Sequence, residues 1–464
     1  MTRRRLGAME RKNHSESERL RVPQPIIKRR IASGRGAMEQ PNVTSDGEAR
    51  LTWQFWIAVA VTGVVTGLFG DLLMWVLKVF ETAAFHYKSG SFQDSVAATS
   101  DARRIVALII SGAVGAVCWF FIRKYLKHEK SEIDDAIWSG DGELSFRRSF
   151  LTSVVSEIVI GLGASVGREA APKLMGGATG SVLSHWFKLT PQQKRLLVAC
   201  GGGAGLACVY NVPLGGAVFT AEVLYGSFAL PVVMPALATS MIATLTAWLY
   251  LPNGATYPDI PNYRFSGSLM VWSIAAGILI GLLSTFYIRL IGWASHYRAR
   301  GVNIFWVMPL AFLVVGLIGT KYPQLFGNGK DMAHEAFLGI GSIGLLFALF
   351  LLKPFVTALS LGSGAAGGVF TPFLATGAVF GAFFGSAWAH VWPGATIGAC
   401  ALIGAAAMIG SSMQAPLAGM VLTLELAQSG FSIMLPMLTA VALSTYIVRQ
   451  IDGYSIYSAR LPRH

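Results

Sequence analysis

The residues best placed to do chemistry are Arg168 and Glu169. They form one ionisable pair inside residues 161–177, a run that is otherwise glycine-rich and apolar, and apolar stretches of membrane-helix length flank it. Ionisable groups at membrane depth are costly and mark substrate or ion pathways. The glycines let the backbone turn sharply or approach a ligand closely. Pro172 suits the first turn of a helix, where its missing N–H is not needed. The pattern predicts a broken helix whose second half starts near Glu169 and aims its N-terminal amides at an anion. Interrupted helices of this kind build binding sites in transporters. Lys173 follows Glu169 by four residues, in the order that favours an ionised carboxylate on one helix face.

The elements that must position this pair are membrane helices. The 464 residues are 53% hydrophobic and 13% charged, half the roughly 25% usual for soluble domains, and mean hydropathy is +0.54. The chain therefore reads as an all-α polytopic membrane protein. Its 52 glycines fit close helix packing. The net charge of +13 reports basic cytoplasmic loops rather than nucleic-acid binding. Residues 1–50 are polar and basic without a signal-peptide core, and are expected to be a disordered cytoplasmic tail at the inner (plasma) membrane. Membrane character begins at Trp53. Apolar segments are expected at 53–80, 105–122, 150–163, 169–187, 196–209, 213–225, 230–251, 269–293 and 304–319, with 191–195 a polar break. Polar stretches at 88–101 and 321–335 read as loops, and a second glycine-rich half spans 338–449. The chain stops at His464, and no C-terminal regulatory domain is expected. The basic run 123–130 argues for a cytoplasmic loop, which orients the N-terminus inward. Cys118, Cys200, Cys208 and Cys400 lack metal-type spacing and read as core residues. No metal or cofactor is expected. HExxH and a P-loop lysine are both missing, which argues against an enzyme.

The chain repeats itself. Residues 211–222 match 414–425 without gaps: Asn211 with Gln414, Pro213-Leu214 with Pro416-Leu417, Gly216 with Gly419, Thr220 with Thr423, Glu222 with Glu425. A small-residue helix precedes each copy, and upstream of each lies a glycine-rich break ending in Pro172 or Pro372. A duplicated pair of interrupted hydrophobic segments points to a transport site at the repeat interface.

At these residues the sequence resembles the CLC family of chloride channels and proton-coupled chloride transporters. Gly167-Arg168-Glu169 is similar to the family's GREGP signature, Gly368-Val369-Phe370-Thr371-Pro372 to its GxFxP signature, and 455–458 to the segment carrying its anion-binding tyrosine. The resemblance implies a homodimer with one pore per subunit, a transmembrane domain over 51–464, and inverted halves at about 51–251 and 269–464. It implies Glu169 as gating glutamate, backbone amides of Arg168, Glu169, Ala170, Val369 and Phe370 facing the anion, and the Tyr457 hydroxyl donating to it. The substrate would be chloride or a similar small anion such as nitrate or fluoride, moved through a glutamate-gated, channel-like path. An exchanger coupled to protons is the alternative.

Three departures qualify the likeness. Ala170 and Ala171 replace the family's glycine-proline, with Pro172 one place later. The pore-serine loop should precede Glu132, but His128 stands at the serine's place and could supply a pH-sensitive donor. The second glutamate of proton-coupled members falls at Val223, next to Glu222, which could serve a water path or be structural like its repeat partner Glu425.

Overall fold

The computed structural model describes residues 51–126, 132–138 and 140–461, so the N-terminal tail and His128 lie outside the described residues. The first half runs through α1 (Trp53–Phe85), α2 (Phe92–Ala97), α3 (Asp101–Tyr125), α4 (Ile133–Trp138), α5 (Phe146–Gly161), α6 (Ala170–Trp186), α7 (Pro191–Tyr210), α8 (Pro213–Phe219) and α9 (Leu230–Ala247). The second half follows with α10 (Gly267–His296), α11 (Ile304–Lys321), α12 (Lys330–Phe337), α13 (Ile343–Gly362), α14 (Phe370–Ala389), α15 (Ile397–Met413), α16 (Pro416–Ala427) and α17 (Met434–Ile451). Among the described residues, eight helices are long and apolar enough to cross a membrane. The protein is an all-helical, multi-pass membrane protein.

Local chemistry explains where the elements depart from the expected bounds. Residues 191–195 are not a break but the first turn of α7. Thr190 and Gln193 form a reciprocal capping box and Pro191 occupies the first helical position, so a polar, proline-bearing stretch starts the helix. The polar stretch 88–101 contains α2, capped by Ser91, and 321–335 contains the start of α12. After α8 the helix widens into a π-helical turn, Thr220–Tyr225, which carries Glu222 and Val223.

The halves share one packing scheme. In the first, α6 lies on α7 and α9 packs against α7 and α1; in the second, α14 lies on α15 and α17 packs against α15 and α10. Glycine makes the central contacts possible. A Cβ at Gly176 would strike the backbone of Gly201, and one at Gly404 the backbone of Gly377, so each pair of helices approaches backbone to backbone. Asn211 and Gln414, which end α7 and α15, both adopt left-handed conformations, with φ of 54° and 55°.

The two copies of the repeated segment also cap each other. The Glu222 carboxylate accepts from Leu417 N at 3.2 Å and Ala418 N at 2.6 Å. The Glu425 carboxylate accepts from Leu214 N at 3.1 Å and Gly215 N at 2.6 Å. Such a mutual exchange is what a two-fold relation between the copies imposes. Each carboxylate meets the free amides and the positive end of the opposite half's helix. Glu222→Ala and Glu425→Ala are each expected to cost about 1–2 kcal/mol, read as a lower apparent Tm of the detergent-solubilised protein. An unchanged Tm in both variants would remove the capping role.

Candidate functional site

The two glycine-rich breaks meet at the centre. Gly167 N donates to Gly368 O and Gly368 N donates to Gly167 O, each at 2.7 Å. Two loops from opposite halves thus pair over a single residue, and the helices that follow, α6 and α14, start side by side. Neither start carries a side-chain cap from its own N-cap residue, Glu169 or Val369. Their amides therefore remain available to another acceptor.

That acceptor is Glu169. Its Oε1 accepts from Phe370 N at 2.8 Å. Its Oε2 accepts from Thr371 Oγ1 at 3.2 Å and from Tyr210 Oη at 3.4 Å, and those two hydroxyls lie 2.6 Å apart. The side chain is 4% exposed. A carboxylate of the first half thus lies in the donor cradle of the second. The glycines make room for it, since a Cβ at either Gly167 or Gly368 would collide with the carboxylate. Of the expected anion-facing residues, the structure brings Glu169, Ala170, Val369, Phe370 and Tyr457 together around one cavity of about 60 Å³. Tyr457 is buried, and its hydroxyl has the Met413 thioether at 3.7 Å, a weak acceptor that a stronger one would displace. Arg168 points elsewhere. Its guanidinium lies 5.2 Å from the Tyr210 ring centroid and lines a separate, larger cavity on the other side of the carboxylate.

Other expected residues take different places. Lys173 does not pair with Glu169. Its Nζ lies 3.2 Å from Asp134 Oδ2 on α4 and 4.5 Å from the Tyr457 ring centroid. Three donors already hold the Glu169 carboxylate, so the helical spacing of the pair decides nothing. Glu222 is engaged as a cap and Val223 is buried in the π-helical turn; neither lines a cavity of the site. No local pattern pointed to Tyr210, one residue before the repeated segment, or to the Thr371 hydroxyl inside a recognised motif. Lys353 was also missed. It is completely buried, and its Nζ donates to Ser165 Oγ at 2.9 Å, Gly327 O at 3.0 Å and Leu325 O at 3.3 Å, fastening the loop that leads to Glu169. An uninterrupted apolar helix holding one lysine was the available signal.

The far end of the small cavity is basic. Glu132 lines it with Arg460, whose guanidinium lies 3.7 Å from the carboxylate. Burial pushes the Glu132 carboxyl up, but Arg460, Arg298, Lys173 and Arg123 outweigh it and hold the group below the usual carboxylate range.

The sequence pattern of the voltage-gated chloride channel family matches residues 114–449. The chain belongs to that family, the CLC family. A putative chloride channel protein, ClcB-like, from Ralstonia nicotianae is 32% identical over 345 residues, covering 71% of this chain and 78% of the relative. The voltage-gated ClC-type chloride channel ClcB of Citrobacter koseri is 26% identical over 420 residues, covering 88% and 99%. Among solved structures, a slow cyanobacterial Cl−/H+ antiporter superposes with a TM-score of 0.76 at 23% identity, covering 88% of this chain and 97% of that one. A CLC-type fluoride/proton antiporter gives 0.70 at 20% identity with the same coverage. These likenesses establish the CLC fold.

The packing of Glu169 against glycine can be tested directly. Gly368→Ala is expected to expel the carboxylate, so that a crystal structure of the variant shows Glu169 Oε1 beyond hydrogen-bonding reach of Phe370 N. A carboxylate still seated on that amide would overturn the steric argument.

Proposed function

We propose that this CLC protein moves chloride across the membrane by a channel-like path that Glu169 closes. One observation carries the reading: a carboxylate accepts from Phe370 N at 2.8 Å, where the amides of an uncapped helix start would otherwise bind a small anion. An ionised carboxylate and a chloride ion are interchangeable there, because both are monovalent acceptors for the same donors. Chloride needs its hydration replaced by donors that still let it leave. Backbone N–H groups and the Tyr457 hydroxyl meet that need, and the nearby ammonium of Lys173 is engaged by Asp134. Chloride from either side can displace the carboxylate, and a proton on Glu169 removes its claim on the amides. In this reading Arg168, Ala170 and Val369 contribute backbone amides beside Phe370.

A second reading, proton-coupled exchange, is favoured by one feature. Tyr210 and Thr371 carry hydroxyls in contact with each other and with Glu169, and Tyr210 also lines the larger cavity, giving a proton a route between that side and the carboxylate. Val223, where an inner acid would stand, weighs the other way.

The assembly is read as a homodimer in the inner (plasma) membrane with its N-terminus in the cytoplasm. Orientation follows from Arg123, Arg148, Arg298 and Arg460 gathering around Glu132 at one end of the pathway. The dimer follows from family resemblance.

The deciding experiment is chloride and proton flux measured together in liposomes under a chloride gradient. Chloride movement without protons is expected. Glu169→Gln, unable to ionise, is expected to keep chloride flux and to flatten its pH dependence. Protons driven uphill by chloride in the parent, and lost in the variant, would replace the channel reading by exchange. A flux with unchanged pH dependence in Glu169→Gln would overturn the gating role.

A further inference from the structure

The larger cavity, about 390 Å³, opens on the side of Glu169 opposite the small one, and its polar groups are unevenly matched. Three cations, Lys78, Arg168 and Lys330, face two carboxylates, Glu81 and Asp331. Lys78 is committed to the ring of Tyr87, with Nζ 3.3 Å from the centroid. Asp331 is committed to the start of α2, its Oδ2 accepting from Gln93 N at 2.9 Å and Ser91 Oγ at 3.2 Å. Arg168, whose guanidinium also lies over the Tyr210 ring, and Lys330 remain, against the single carboxylate of Glu81. Neither has a carboxylate within ion-pair distance among the described residues. Two donors lining the cavity lack acceptors, and two acceptors lining it, Gln93 Oε1 and Gln324 Oε1, lack donors. Arg168 Nε is buried without a partner, and so is Asn328 Nδ2, whose amide oxygen is used by Lys330 N at 3.0 Å. Buried donors left without acceptors are costly, and a cavity that places them beside cations without an ion-pair partner suits an anion.

We propose that Lys330, Arg168 and Asn328 form a capture site that holds a monovalent inorganic anion on the outer side of Glu169 before it reaches the helix starts. The proposal rests on the reading of this chain as an anion carrier and adds a station to its path. An anion held there would wait next to Tyr210, within one step of the carboxylate it must displace.

The station is built to respond to pH. Lys330 sits on α12, outside the membrane-spanning helices. Burial and the neighbouring Arg168 push its ammonium down to about 8, against Asp331 and Glu81. Those three are the charged groups that act on it, Arg168 from the central loop, Asp331 from its own helix and Glu81 from α1, and Lys78 of α1 lines the same cavity. The helices α14 and α15, packed on α12, bring it none, and Asp94 of α2 acts on Glu335 instead. Lys330 is charged below about pH 8 and neutral above it, so capture strengthens below that pH and fades as pH rises through it.

Bromide is the probe. Crystals of the full chain grown in bromide at pH 7 should show an anomalous peak within hydrogen-bonding reach of Lys330 Nζ and the Arg168 guanidinium. The peak should weaken at pH 9 and vanish in Lys330→Gln. No peak there at pH 7 overturns the proposal, as does a peak that persists undiminished in Lys330→Gln. In oriented bilayers, Lys330→Gln should raise the half-saturating chloride on that face about fivefold, the effect of one nearby charge in a wet cavity, while the constant on the opposite face holds. Lys330→Arg should restore affinity and lose the pH dependence near 8. Equal shifts on both faces would point to a disturbed fold and overturn the assignment. A parent that moves no chloride would sink the transport reading, and the bromide peak would still decide the site.

Discussion

Two backbone hydrogen bonds between Gly167 and Gly368 set the geometry on which the rest depends. They bring two helix starts together with their amides turned toward one point. Two positive helix ends side by side repel, and the point between them is buried, so an acceptor is needed there. Glu169 fills it from within the chain. The arrangement needs the smallest residue at both partners of the bridge, because any side chain would occupy the volume the carboxylate takes.

Full charges stand one layer back from this point. Lys173 is answered by Asp134, and Lys353 by three oxygens including Ser165. The donors on the Glu169 carboxylate are all neutral, and the cations shape the field around them. In the proposed path an ion in the carboxylate's place would meet several moderate interactions rather than one strong one, which favours its release.

Much of this was legible in the sequence because the relevant signals are local. The break around Gly167, the proline after it and the ungapped match of 211–222 with 414–425 each lie within a dozen residues. They predict the start of α6 and the repetition of its plan in the second half, while the placing of Glu169 with Phe370 came from the family resemblance. What escaped is long-range. Tyr210 reaches a carboxylate 41 positions away, Lys353 a serine 188 positions away, and neither partner is marked by spacing. Local reasoning also misled where tertiary donors outbid it. The helical spacing of Glu169 and Lys173 is favourable, but Phe370 N and Thr371 Oγ1 take the one side chain and Asp134 takes the other. At 191–195, polarity suggested a loop where a proline and a capping box begin a helix.

The crossed caps of Glu222 and Glu425 have a consequence for how the chain is made. The amides of Leu214 and Gly215 find their acceptor 211 and 210 residues further along. The first half, as it leaves the ribosome, therefore carries a helix end whose acceptor has yet to be made, and the later half arrives with the matching end. Neither half is a finished domain. Each copy of the repeat holds the acceptor that completes the other, so the exchange can close only when synthesis has passed residue 425.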